Sequence, residues 1–218
     1  MNVYTKEPNT PPLASMIWMH GLGADASDMA GLAAQYPISA LPIRHVFMNA
    51  PMRAVTINGG MHMPAWYDIV GFELTDREDD AGIKESAKQI NAAIQSQLDA
   101  GMSENQIILA GFSQGGAMAL HTALHCPHAL AGVVALSGYL PLATQSQFHL
   151  PRKTPFFMGY GRFDNVVLPE WTAYSYKLLQ ANGYQNLSIK DYPMEHSICQ
   201  SEINDLGDWL KSLLGEKA

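Results

Sequence analysis

Three residues in this sequence have the types and the chain order for nucleophilic attack on a carbonyl carbon: Ser113, Asp164 and His196. A serine hydroxyl is a weak nucleophile at neutral pH, so a base within hydrogen-bond reach must take its proton as it attacks. Imidazole titrates near neutrality and suits that task. A buried carboxylate on the other ring nitrogen fixes the tautomer and stabilises the imidazolium formed in the transition state. Ser113 stands in Gly111-Phe112-Ser113-Gln114-Gly115, a G-x-S-x-G pattern. Asp164 follows an apolar run, Thr154 to Tyr160, and His196 is the only histidine placed after both. Serine, acid, histidine is therefore the order in which the three roles are read.

These side chains need elements to hold them. Ile107 to Ala110 reads as a buried strand, and Gln114 to Leu124 lacks proline and contains Ala117, Met118, Ala119 and Leu120, which suits a helix. A sharp turn between them leaves the Ser113 hydroxyl exposed, because glycines on either side admit a backbone that bulkier residues would obstruct. A strand at Ala14 to Met19 leads into His20-Gly21-Leu22-Gly23. Two glycines around one residue let the backbone turn an N–H inward, so the Leu22 N–H, with that of Gln114, is the expected oxyanion donor. His20 reads as an anchor of that loop rather than a catalyst. Further strands are expected at His45 to Met48, Leu130 to Leu136 and Leu187 to Tyr192. Helices are expected after Asp25 or Ser27 as far as Tyr36, after Asp79 and Asp80, from Leu168 to Asn182, and over Ile203 to Leu213. Asp79 and Asp80 suit a helix start. Alternating strands and helices predict one α/β domain over 1–218 with a mostly parallel central sheet flanked by helices, and 1–12 as an irregular arm.

Between Pro51 and Gly71 lie Asn58-Gly59-Gly60, Met61, Met63, Trp66 and Tyr67, too irregular for an amphipathic helix and too apolar for a solvated loop. A cover over the site is expected there. The aromatics and methionines of this stretch, Trp66 among them, either line an apolar substrate pocket or are buried against the sheet; Phe72 and Leu74 extend the apolar character, and Ser137 to Pro141 is read as part of the site wall.

Composition narrows the classes. A net charge of −7 with scattered basic residues gives a nucleic-acid backbone little to hold. The run Leu13 to Met19 is too short to span a bilayer, and no basic segment precedes it, so no integral membrane association is expected and the cytoplasm is the expected location. Cys126 and Cys199 are two cysteines, too few for a disulfide framework. His121 and His125 are four apart near Cys126 and His128, but H-T-A-L-H lacks the glutamate of H-E-x-x-H and neither cysteine has a C-x-x-C partner. No metal and no organic cofactor is expected. The methionine-rich cover suits contact with a second copy of the chain, a homodimer.

The assembled motifs resemble the phospholipase/carboxylesterase family of α/β-hydrolases, which includes carboxylesterases and acyl-protein thioesterases. They are H-G-L-G at His20 to Gly23, N-G-G-x-x-M-P-A-W-Y-D-I at Asn58 to Ile69, G-F-S-Q-G-G at Gly111 to Gly116, D-x-V-V at Asp164 to Val167, and the histidine after Tyr192-Pro193-Met194. The resemblance implies a triad of Ser113, Asp164 and His196, an oxyanion hole from Leu22 and Gln114, and cleavage of esters or thioesters through an acyl-enzyme. It also implies an acyl pocket bordered by Trp66 to Leu74 and by Val166. The expected substrates are esters or thioesters of short to medium acyl chains, with lysophospholipids or acylated proteins as the alternative. An idle hydrolase fold that merely binds an apolar ligand is the reading from a different class. Two positions depart from the family pattern: Tyr160 stands where a histidine is usual, and Glu195 where a glycine is usual, placing a carboxylate next to His196 in the chain.

Overall fold

The computed structural model describes residues 3–71, 78–145 and 147–215. The strands are β1 Val3–Lys6, β2 Ala14–Met19, β3 Ile43–Met48, β4 Met52–Val55, β5 Met61–Pro64, β6 Ile107–Phe112, β7 Gly132–Leu136, β8 Phe156–Gly161 and β9 Leu187–Tyr192. The helices are α1 Ala26–Ala33, α2 Asp80–Asp99, α3 Gln114–His125, α4 Pro169–Ala181 and α5 Gln200–Gly215. Seven strands form the central sheet in the order β1-β3-β2-β6-β7-β8-β9, parallel except for β1.

Strands covered on both faces should be apolar nearly throughout, and β2 and β6 are buried along almost their whole length, the one polar residue, Ser15, donating its hydroxyl to Gln97 Oε1 at 3.0 Å. Ile17, Met19, Ile107 and Leu109 point to one core, with α2 and α3, while Met16, Trp18, Ile108 and Ala110 point to the other, with α1 and α5. The hydrophobic sandwich thereby fixes the register of the middle strands, whose C-terminal ends all open on one side of the sheet. The predicted α/β architecture is the one observed.

Three expectations are corrected. Residues 1–12 are not wholly irregular: Val3–Lys6 pairs antiparallel with β3, and Tyr4 stacks on Phe47. All four of its residues are exposed, and an edge strand held mainly by backbone bonds needs no apolar alternation, so the sequence pattern does not mark it. The segment after Pro51 is not an irregular cover. β4 and β5 form a two-stranded hairpin whose turn places Gly59 and Gly60 at φ 66° and 76°, the positive φ that glycine adopts without a Cβ clash. Finally, α1 ends at Ala33, short of Tyr36.

Candidate active site

The end of β6 turns into α3 through Ser113, whose φ of 55° and ψ of −121° lie where non-glycine residues are rare. The turn is tight enough that a Cβ at Gly111 would sit 2.2 Å from the Gly115 carbonyl, and one at Gly115 would sit 2.1 Å from the Met19 oxygen. Glycine at both places lets the elbow lie against the end of β2. The Ser113 N–H donates to the Leu136 carbonyl at 2.8 Å, which fixes the elbow to β7.

Two neighbouring strand ends supply the partners. Past β8, the buried Asp164 accepts at Oδ1 from the backbone N–H groups of Val166 and Val167, both at 2.9 Å, leaving Oδ2 to meet His196 Nδ1 at 2.7 Å. Burial would raise the Asp164 pKa, but the hydrogen bonds from His196, Val166 and Val167 and the attraction to His196 outweigh it and hold the carboxyl below its ordinary value. Past β9, His196 presents Nε2 to Ser113 Oγ at 2.8 Å, and its ring lies 4.8 Å from that of Phe112. An ionised Asp164 can only accept, so Nδ1 carries the proton and Nε2 accepts from the hydroxyl. Gly161 allows the acid and histidine loops to approach: a Cβ there would fall 2.4 Å from the carbonyl oxygens of Met194 and Glu195. The Glu195 side chain is exposed and, among the described residues, makes no hydrogen bond or ion pair with His196.

The loop after β2 lies across the elbow. His20 is buried, its Nδ1–H donating to the Gly21 carbonyl at 2.7 Å and its Nε2 accepting from the Ala50 N–H at 3.0 Å. Burial, opposed by the Gly21 bond and by Asp25 and Asp28, lowers its pKa and keeps it neutral, an anchor as its sequence position suggests. Among the described residues, the backbone N–H groups of Leu22 and Gln114 meet no protein acceptor, the latter because it opens α3. The Gln114 side chain instead ties the elbow to the segment after β5, accepting from Trp66 N–H and donating to the Tyr67 carbonyl, both at 2.8 Å.

Trp66 is not a lining residue. It is fully buried, its indole N–H donates to the His20 carbonyl at 2.8 Å, and Ser86 Oγ donates to its backbone oxygen. A tryptophan in an apolar stretch looks the same in sequence whether it faces a ligand or holds a loop, and here the polar tip finds a backbone acceptor inside. Phe72 and Leu74 lie outside the described residues.

Two cavities meet at the serine, both bordered by Leu22, Ser113 and Val166, whose side chain is exposed between them. One, of about 520 Å³, is lined by Tyr67, Ile69, Tyr139, Leu168 and Trp171, with Gln114 at its mouth and Glu78 on its wall. Tyr67 and Tyr139 share a hydrogen bond at 3.1 Å, and burial pushes the Tyr139 hydroxyl up to about 12. Tyr139 belongs to the stretch expected in the wall, whereas Trp171 and Leu168 were read only as helix residues; their position at the start of α4, just after the Asp164 loop, was the available signal. The other cavity, of about 550 Å³, runs between α1 and the His196 loop over Met29, Leu32, Phe112, Ile198 and Ile203. Its α1 residues read in sequence only as a core face. Among the described residues no cluster of three or more His, Cys, Asp or Glu side chains is arranged to hold a metal ion. No helix among them is long and apolar enough to cross a membrane.

The profile of a family described as Phospholipase/Carboxylesterase matches residues 2–214. Acyl-protein thioesterase 1 of Emericella nidulans is 34% identical over 216 residues, covering 92% of this chain and 90% of that protein. Acyl-protein thioesterase 1 of Cryptococcus neoformans var. neoformans is 35% identical over 233 residues, covering 98% and 97%. Among solved structures, SOBER1 of Arabidopsis thaliana superposes with a TM-score of 0.86 at 29% identity over 92% of this chain and 99% of that one. Acyl-protein thioesterase 2 of Zea mays gives 0.86 at 28% identity, covering 98% and 99%.

Proposed function

The chain belongs to the phospholipase/carboxylesterase family of α/β-hydrolases, a serine hydrolase of esters or thioesters, and from that premise we propose that Ser113, His196 and Asp164 are its catalytic triad. The observation that carries this reading is the unbroken hydrogen-bond chain from Asp164 through His196 to Ser113 Oγ, at 2.7 and 2.8 Å.

In this mechanism Ser113 Oγ attacks the substrate carbonyl carbon as its proton passes to His196 Nε2, and Asp164 stabilises the resulting imidazolium. The oxyanion is met by the N–H groups of Leu22 and Gln114, which have no other acceptor among the described residues. His196 then gives the proton to the departing oxygen or sulfur as the carbonyl re-forms, leaving the acyl group on Ser113. Water, deprotonated by the same imidazole, attacks the acyl-enzyme, and collapse releases the carboxylic acid and restores the hydroxyl. No step calls for a metal or an organic cofactor. The cavity lined by Tyr67, Ile69, Tyr139 and Trp171 is the acyl site, its largely apolar wall suiting an alkyl chain. Similarity to proteins named acyl-protein thioesterase over more than nine-tenths of the chain favours acylated proteins as a second substrate class. The reading places this activity in the cytoplasm.

The test is hydrolysis of acyl esters from acetyl to palmitoyl, paired with matching thioesters, by wild type and Ser113→Ala. Serine-dependent activity is expected with an optimum at short or medium chains, and a fluorophosphonate should label Ser113. A long-chain or thioester optimum would move the reading to protein or lipid deacylation. Activity surviving in Ser113→Ala would overturn the mechanism.

A further inference from the structure

We propose that the groove between α1 and the His196 loop is the leaving-group subsite, and that it takes an apolar, uncharged alcohol or thiol of several carbons. This rests on the reading of Ser113 as nucleophile. Once Oγ has bonded to the carbonyl carbon, three substituents remain to be placed: the oxyanion, the acyl carbon and the departing oxygen or sulfur. The oxyanion faces the N–H groups of Leu22 and Gln114. The departing atom must accept a proton from His196 Nε2, so it lies on the histidine side. Of the two cavities that meet at Ser113, only the α1 groove is bordered by His196, and only the other is bordered by Gln114. The acyl chain therefore takes the Tyr67–Trp171 cavity, and the leaving group takes the groove.

The groove's chemistry says what fits. Its floor is Met29, Leu32, Phe112 and Ile203, and its volume is about 550 Å³, far more than methanol or ethanol occupies. Asp28 and Gln35 are exposed on its border, and none of its lining residues is lysine or arginine. An anionic tail would lose hydration on that floor with no cation to compensate and a carboxylate nearby. The surface as a whole carries a charge of −7, which acts in the same direction.

Butyryl esters of ethanol, butanol and hexanol test the assignment, because these alcohols have similar acidities and differ chiefly in the apolar surface they bring. From ethyl to hexyl, kcat/KM should rise about tenfold or more, a conservative share of the gain expected for burying four methylenes. A hexyl chain ending in a carboxylate should fall back near the ethyl ester. Gly31 lines the groove, and a Cβ added there meets nothing within 4 Å, so Gly31→Leu should fold while filling the groove. In that variant the hexyl-to-ethyl ratio should drop about tenfold, with the octanoyl-to-butyryl ratio on ethyl esters kept within about twofold. Rates indifferent to alcohol length, or a Gly31→Leu variant whose acyl preference changes in place of its alcohol preference, would overturn the proposal. Failure of Ser113-dependent hydrolysis on every ester would instead strike the functional reading beneath it.

Discussion

At the residue scale, Asp164 separates two duties between its two oxygens. Oδ1 is held by Val166 and Val167 N–H, and Oδ2 by His196. In Asp164→Asn the amide oxygen can keep the two backbone donors, so the fold should survive, but the amide nitrogen then faces Nδ1 and demands that it accept. The imidazole would take the opposite tautomer, with a proton on Nε2 where the Ser113 hydroxyl needs an acceptor. The expected result is a fall in kcat of about 10⁴ with KM changed far less, read from steady-state kinetics at neutral pH, while the melting temperature moves only slightly. A loss of the same size in KM would show that Asp164 shapes the binding site instead. This part of the site was legible in the sequence because each residue sits just past an apolar strand, and strand ends in a parallel sheet share a side. The two free backbone donors were legible for the same reason, since Leu22 and Gln114 also follow strands.

At the element scale, the hairpin β4–β5 and the segment after it brace the loop that carries the Leu22 N–H, the proposed oxyanion donor. Gly23 N–H donates to the Pro64 carbonyl at 2.8 Å, Trp66 Nε1–H to the His20 carbonyl at 2.8 Å, and Trp66 N–H to the Gln114 side chain at 2.8 Å. Three bonds thus fix the loop that carries the Leu22 donor against the elbow that carries the Gln114 donor. Trp66→Phe removes one of them and leaves the buried His20 carbonyl without its partner, at a cost of about 1–3 kcal/mol in stability. If Leu22 and Gln114 N–H are the oxyanion donors proposed above, its kinetic effect should be a kcat lower by about tenfold across all acyl lengths, since such donors act in the transition state. Comparing kcat and KM over the ester series checks this: a loss confined to long chains would return Trp66 to the pocket wall. The hairpin was hidden in sequence because Met52–Val55 and Met61–Pro64 are four-residue strands with no clear alternation, although Asn58-Gly59-Gly60 is a turn signal. Edge strand β1 was missed for a related reason, as its side chains are exposed and only its backbone pairing defines it. The α1 groove escaped notice because its residues carry the same apolar spacing that any core-facing helix does.

At the scale of the whole molecule, buried ionisable groups make the stability of the fold depend on pH. His45 is buried with Nδ1 accepting from the Trp18 indole, and burial, helped by Lys6, lowers its pKa from 6.5 to about 4. His121, against His125 in α3, is lowered to about 4, chiefly by burial and then by His125, and His20 is lowered as well. Each binds its proton more weakly folded than unfolded, so it contributes no pH dependence well above 6.5 and costs stability as pH falls below that value. Glu202 on α5 runs the other way. It is fully buried beside Gly159 with no partner for either carboxyl oxygen among the described residues, and burial, with Asp205 nearby, raises it from 4.5 to about 8. Holding its proton more tightly when folded, it costs stability as pH rises from 4.5 to about 8. Between 4.5 and 6.5 the trends oppose, and the two histidines lowered to about 4, with His20 acting in the same direction, outweigh one carboxyl and make stability rise with pH, at about 1.4 kcal/mol per unit for each proton of net difference. Above 6.5 the histidines fall silent and Glu202 alone of these four still acts, so the urea midpoint should peak near pH 6.5 and decline toward about 8. In Glu202→Gln, which cannot ionise, that alkaline decline should vanish while the acid decline remains and steepens. Urea denaturation of both proteins from pH 5 to 9 reads the difference, and a variant that still loses stability between 6.5 and 8 as the wild type does would remove Glu202 as its source.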